Sequence, residues 1–125
     1  MYLVDTNIFL EILLAQDKSE ACKTFLSDHI DELAISDFSL HSIGVILFRH
    51  KAHDIFSKFI EDMLPHLNLL SLPKNQYHKI IPNQNQYKLD FDDAYQLTIC
   101  RQYRLRFTTM DQDFKNVKAI DILFI

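Results

Sequence analysis

LVDTN, Leu3 to Asn7, joins two apolar patterns of different kinds. Leu3 and Val4 belong to a short run of the sort that makes a buried strand, whereas Ile8, Phe9, Ile12 and Leu13 recur at helical spacing. Between them lie Asp5, Thr6 and Asn7. A helix starting here needs one short polar side chain for its free N–H groups. Three in succession leave residues over for a second task. We read Tyr2–Asp5 as a first strand and Asn7–Leu14 as a first helix, which puts a carboxylate at the strand's carboxyl end.

The same alternation continues along the chain. Ser19–Ser27 reads as a helix with Cys22, Phe25 and Leu26 on its apolar face, and Leu33–Ser36 as a second strand. Asp37 or Ser39 is placed to cap a third helix carrying Leu40, Ile43, Gly44 and Leu47 on one side. Ala52, Ile55, Phe56, Phe59, Ile60, Met63 and Leu64 follow helical spacing until Pro65 ends the pattern. Leu67–Leu70 is a third strand, the polar tract PNQNQYK (Pro82–Lys88) a loop after a short helix, and Asp93–Tyr103 a helix. Arg106–Thr109 and Ala119–Phe124 supply the fourth and fifth strands. Strands alternating with helices predict an α/β fold in one domain over residues 1–125: a three-layer α/β/α sandwich around a parallel sheet of four to five strands.

Composition narrows the function classes. Hydrophobic residues make up 48% and charged residues 24%, which excludes a disordered chain. One Gly and three Pro argue against an all-β sandwich, and the lone Gly44 rules out a glycine-rich phosphate loop. The net charge of −4 gives no global basic field, so contact with nucleic acid requires a local patch or a bound cation. Cys22 and Cys100 sit inside apolar helical patterns, as reduced core thiols do. Asp5 and Glu11 interrupt the N-terminal apolar run, no basic region precedes it, and no run is long enough to span a bilayer. A cytoplasmic protein without membrane association is expected.

Active sites of open parallel sheets gather at the carboxyl ends of strands. Asp5 ends the first strand, Asp92 and Asp93 open the late helix in KLDFDDAY, and Asp111 and Asp113 follow the fourth strand in TTMDQDF. Taken singly, Asp5 is a helix cap, Asp92 or Asp93 another cap, and Asp113 a turn residue. Taken together, three distant stretches deliver carboxylates to one edge. Such a cluster repels itself unless a cation neutralises it, and an all-oxygen donor set suits Mg²⁺ or Mn²⁺. The reaction class that follows is metal-dependent phosphodiester hydrolysis. Arg101, Arg104 and Arg106, interleaved with Tyr103, are candidate RNA contacts, as are Arg49, His50 and Lys51. His50 and His53 lack the further ligands of a transition-metal site.

At these residues the sequence resembles the PIN-domain ribonucleases, including the VapC-type toxins of prokaryotic toxin–antitoxin pairs. LVDTNIFLE is similar to that family's opening strand and first catalytic aspartate, FDDAYQLTIC to its later "DA" motif, and RFTTMDQDF to its closing "T-x-D-x-D-F" segment. The likeness runs from Met1 to the last strand. It implies a parallel sheet with flanking helices, an acidic Mg²⁺ or Mn²⁺ site, cleavage of RNA, a small antitoxin protein as partner, and a homodimer. Carried over by position, Asp5, Asp93 and Asp111 are catalytic, and Asp5, Asp93, Asp111 and Asp113 hold the metal. Asp92 is the substitute for Asp93, Thr6 and Asn7 hydrogen-bond Asp5, and Thr109 supports the closing loop.

The sequence departs from the family in one place. A glutamate is expected on the third helix after "S-x-x-T-x-x-E", and here Ser42 takes its position, with Asp37, Ser39 and His41 nearby. One carboxylate fewer weakens metal affinity. The second reading is therefore a PIN-fold protein with weakened or lost catalysis that binds RNA or protein. A phosphotransfer receiver is a third, for which the required late Lys has no place.

Overall fold

The computed structural model describes residues 1–125. Its five strands run parallel in the order β3–β2–β1–β4–β5: β1 Tyr2–Val4, β2 Leu33–Ser36, β3 Asn68–Leu70, β4 Arg106–Thr109 and β5 Ile122–Phe124. Six helices flank them: α1 Thr6–Leu13, α2 Ser19–Asp28, α3 Asp37–Arg49, α4 His53–Lys58, α5 Ile80–Tyr87 and α6 Phe91–Tyr103. The period-2 alternation of the central strands sorts the chain into two cores. Tyr2, Val4, Leu33 and Ile35 point to one face and pack with Ile8, Phe9, Cys22, Phe25, Ile43 and Leu47 of α1 to α3. Leu3, Ala34 and Phe107 point to the other and meet Ile80 of α5, Leu97 and Ile99 of α6, and Phe114. This is the expected α/β/α sandwich. Each fully buried Leu, Ile or Phe stabilises by ~1.5–3 kcal/mol, against about 1 kcal/mol for a helix cap. Packing on two faces therefore holds the sheet, and the caps adjust it.

The strand order positions the site. From β1 the chain builds outward through β2 to β3, then returns to lay β4 on the other side of β1. The point of reversal, where such sheets open a crevice, lies at the carboxyl ends of β1 and β4. Asp5 and Met110 follow directly.

Several elements differ from their sequence-based expectation. Residues 82–88 are not a loop, because α5 runs through Ile80–Tyr87 after a 3₁₀ stretch at Lys74–Lys79. Pro82 sits in the first turn, where its missing N–H needs no partner. Buried Asn83 ties the helix to α6 through Thr98 at 2.9 Å, and Lys88 closes it in the left-handed region at φ 54°. The pattern from Ala52 to Leu64 is not one regular helix either. After α4 the chain widens to a π-helical turn at Phe59–Met63 and tightens to a 3₁₀ turn at Leu64–His66 that accommodates Pro65. Only Phe59 of that stripe is buried, while Ile55 and Ile60 remain 36% and 42% exposed. Ser36, not Asp37 or Ser39, caps α3 by accepting from the Ser39 N–H at 3.0 Å. Asp90, not Asp92 or Asp93, caps α6. Cys22 and Cys100 are free and buried, and no helix is long and apolar enough to cross a membrane.

Candidate active site

Asp5 occupies the N-cap position of α1 but makes no side-chain cap bond. Its carboxylate, only 7% exposed, accepts a 2.7 Å hydrogen bond from the Thr109 hydroxyl at the end of β4. The same Thr109 oxygen accepts from the Asp111 N–H at 2.9 Å, so one hydroxyl couples the ends of β1 and β4. Burial pushes the Asp5 carboxyl above its ordinary pKa, and hydrogen bonds from Thr109 and the Thr6 backbone only partly offset this. Beyond Thr109 the chain turns through Gln112–Phe114, with the Asp113 N–H donating to Asp111 Oδ1 at 2.8 Å. Phe114, fully buried and 4.8 Å from Phe107 between ring centroids, anchors this turn so that its two carboxylates face outward.

The third segment is the start of α6. Asp90 accepts from the Asp93 N–H at 3.1 Å, which sets the first turn. One oxygen each of Asp93, Asp111 and Asp113 lies within 4.8 Å of the others. Burial, and then the charges of Asp90, Asp111 and Asp5, push Asp93 up to about 7. The donors are all oxygen and all acidic, a set that fits a divalent cation. A cation there would relieve the repulsion that raises Asp93.

Asp92 is exposed and lies outside the cluster. Asn7 is exposed, and the Thr6 hydroxyl meets Ser39 Oγ at 2.8 Å. Neither side chain bonds Asp5; the side chain that does is Thr109. Ser39 also accepts from Gln96 Nε2 at 2.8 Å, forming a buried polar floor of Thr6, Ser39 and Gln96 beneath the carboxylates. Gln96 lies one turn beyond Asp93 on the same side of α6, a spacing readable beforehand but masked by the apolar run around it. Ser42 is half-buried one turn beyond Ser39. The α3 carboxylate nearest to it in sequence, Asp37, is already engaged by the Tyr95 hydroxyl at 2.7 Å and the Phe38 N–H at 2.8 Å. Asp90, Tyr95 and Gln96 were not anticipated as site residues. For Asp90 the signal existed, because Asp90 and Asp93 have the spacing of a cap and the N–H it receives.

The arginines separate. Arg101 and Arg104 lie at the far end of α6, whereas Arg106 sits 5.6 Å over the Tyr2 ring and donates to its hydroxyl at 3.1 Å. Arg49, His50 and Lys51 are exposed at the end of α3, and the His53 ring packs on Phe48 at 4.3 Å.

Comparison with known proteins bears on this geometry. The family model described as PIN domain matches residues 2–120. No curated protein sequence matches the chain significantly. Among solved structures, VapBC2 from Rickettsia felis bound to a DNA fragment from their promoter superposes with TM-score 0.82 at 14% identity, covering 99% of this chain and 98% of that one. A toxin–antitoxin complex from Klebsiella pneumoniae gives TM-score 0.80 at 19% identity over 98% and 96%. VapC20 from Mycobacterium tuberculosis, described as a sarcin–ricin loop cleaving toxin, gives 0.78 at 15% over 94% and 95%. At these identities the likeness is one of fold.

Proposed function

The chain belongs to the PIN-domain family, and from that premise we propose that it is a Mg²⁺- or Mn²⁺-dependent endoribonuclease, the toxin half of a toxin–antitoxin pair. The observation that carries this reading is the convergence of Asp93, Asp111 and Asp113 within 4.8 Å, beside an Asp5 locked by Thr109. Asp5, Asp93, Asp111 and Asp113 are the residues that would hold the cation. Bound there, it supplies a coordinated water of lowered pKa and positive charge opposite the phosphodiester. The chain itself contributes orientation. Thr109 occupies one oxygen of Asp5, the Asp113 N–H fixes the rotation of Asp111, and Asp90 sets the turn that presents Asp93. Hydrogen bonds of this supporting kind hold ligands in place in metal sites generally. RNA cleavage measured with Mn²⁺, then with Asp5→Asn and Asp93→Asn, tests the reading: equal cleavage by all three proteins would sink it.

The Klebsiella pneumoniae neighbour is a toxin–antitoxin complex and VapBC2 is bound to promoter DNA, and this supports a small antitoxin as partner. A homodimer is the further expectation. The exposure of Ile81 and Phe91, at 65% and 60%, supports it, and a monomer in sedimentation at micromolar concentration would remove it.

One observation favours a second reading, a PIN-fold binding module with weakened catalysis. On helix α3 the Ser39 hydroxyl bonds Thr6 and Gln96, and the helix's one carboxylate, Asp37, is engaged by Tyr95. Titration calorimetry with Mn²⁺ separates the two. Tight binding that disappears in Asp5→Asn supports the nuclease.

A further inference from the structure

At the opposite end of α6 from the carboxylates lies a second concavity, about 550 Å³, between α5 and α6. Lys79, Asn83, Gln86, Thr98, Arg101 and Arg104 shape it, and no carboxylate lines it. In a chain of net charge −4 this is an unusual place for three cations to gather. None of the three is in a salt bridge; the only ion pairs in the molecule are Lys23–Glu20 and His29–Glu32. The pocket also has internal order. Asn83, 5% exposed, donates to Thr98 at 2.9 Å and accepts from Arg101 Nη1 at 2.8 Å, so a buried amide holds the guanidinium in one orientation. Lys118 adjoins the same two arginines on the other side, with Asp121 as the one acid there.

A structural role accounts for part of this. Arg101 and Arg104 lie where cations balance the negative end of the α6 dipole. That role requires neither Lys79, which belongs to another element, nor a neutral polar lining, nor an amide spent on orienting Arg101. An oriented guanidinium beside two further unpaired cations matches a phosphate group, whose oxygens accept several charge-assisted hydrogen bonds at once. We propose that this pocket is a phosphate-binding site and that it takes a backbone phosphodiester of the RNA strand flanking the cleaved bond. This rests on the nuclease reading for the identity of the strand. Asp93 and Arg101 are eight positions apart on α6, about 12 Å along its axis, a span of a few nucleotides. One helix then carries cleavage at its start and a hold on the strand at its end. Arg106, stacked on Tyr2, is outside this site.

The test uses the full-length chain in EDTA, so that nothing is cut. Amide and guanidinium NMR signals of Asn83 and Arg101 are followed while inorganic phosphate or a short single-stranded RNA is added. RNA is expected to shift both signals and to compete with phosphate. In the double variant Lys79→Gln/Arg101→Gln, RNA affinity is expected to fall about tenfold, and the slope of log affinity against log salt to shrink by about 0.7, one phosphate on a single strand. Mn²⁺ affinity at the carboxylates is expected to stay unchanged. Identical RNA affinity and salt slope in wild type and double variant overturn the proposal. Signals that move with inorganic phosphate but not with RNA overturn the strand assignment and show a site for free phosphate only. A wild-type protein that binds RNA through these two residues but never cleaves it with Mn²⁺ sinks the nuclease reading alone and leaves the phosphate site standing.

Discussion

Helix α6 has an acidic end and a basic end, and the two behave differently. Both obey the helix dipole, which favours anions at the N-terminus and cations at the C-terminus by a few tenths of a kcal/mol up to about 1. At the basic end the cations are spaced by Asn83, Gln86 and Thr98 and meet solvent. At the acidic end Asp90 and Asp93 meet Asp5 from β1 and the Asp111–Asp113 turn after β4. Burial, and then the like charges around it, outweigh the dipole, and Asp93 moves to about 7. Crowding that costs stability in the free protein is what one expects of a site whose remaining component is a cation. Spaced, exposed cations are what one expects of a surface that grips and releases a polyanion.

The largest effect should come from removing a carboxylate. Phosphodiester cleavage in Mn²⁺ is expected to fall more than ~100-fold in Asp5→Asn or Asp93→Asn, since even outer partners of metal ligands cost 10–100-fold. The same Asp93→Asn protein is expected to melt higher than wild type in EDTA at pH 8, because it loses one of the crowded charges. Opposite signs in activity and stability sharpen the contrast between the two ends. Lys79→Gln should leave the metal-free melting point nearly unchanged.

Next is the hydroxyl that joins β1 to β4. Thr109→Val keeps the shape but removes the donor to Asp5 and the acceptor for the Asp111 N–H. Cleavage is expected to drop about 10–100-fold, with a stability loss of ~1–3 kcal/mol from the unpaired buried groups. Paired assays of initial rate and urea unfolding check this. Unchanged cleavage would mean that Asp5 needs no help to hold its orientation.

The pH dependence follows from the raised carboxyls. The folded protein keeps a proton on Asp93 up to about 7, whereas an unfolded Asp releases it near its ordinary value of 3.8. Between those values the folded state binds more protons than the unfolded state, so stability falls as pH rises. Asp5 is raised in the same direction. Metal-free thermal melts are expected to be higher at pH 5 than at pH 8, and Mn²⁺ to raise the pH 8 melt more than the pH 5 melt. A flat profile would break the account of a crowded acidic end. Ser42→Glu adds a carboxylate to α3 and should tighten Mn²⁺ by roughly tenfold while lowering the metal-free melting point.

These residues also explain what could be read from the chain beforehand. The sheet was legible because β1 and β2 alternate between two apolar cores, and the acids were legible because they stand at strand ends. Helix α5 was not, because PNQNQYK has no apolar period and its order comes from tertiary bonds such as Asn83 to Thr98. The π-helical turn at Phe59–Met63 hides inside a good helical pattern, since spacing of apolar residues says little about which carbonyl each N–H reaches. Gln96 of the polar floor is not legible, because a neutral polar residue carries no charge signal and this one sits within an apolar run.

The smallest predicted effect isolates the cap from the charge. Asp90 does two things to α6 that oppose each other. Its oxygen accepts the Asp93 N–H, a cap that stabilises by about 1 kcal/mol, and its charge is the largest single electrostatic contribution raising Asp93. Asp90→Ala removes both, so its stability loss should be less than a cap alone would give. Asp90→Asn keeps an acceptor oxygen in place and removes only the charge, so the metal-free protein should be as stable as wild type or slightly more so. In both variants the Asp93 carboxyl, followed by NMR titration, should move down from about 7. If Asn and Ala destabilise equally and Asp93 does not move, charge crowding is not what distinguishes this end of the helix from the other.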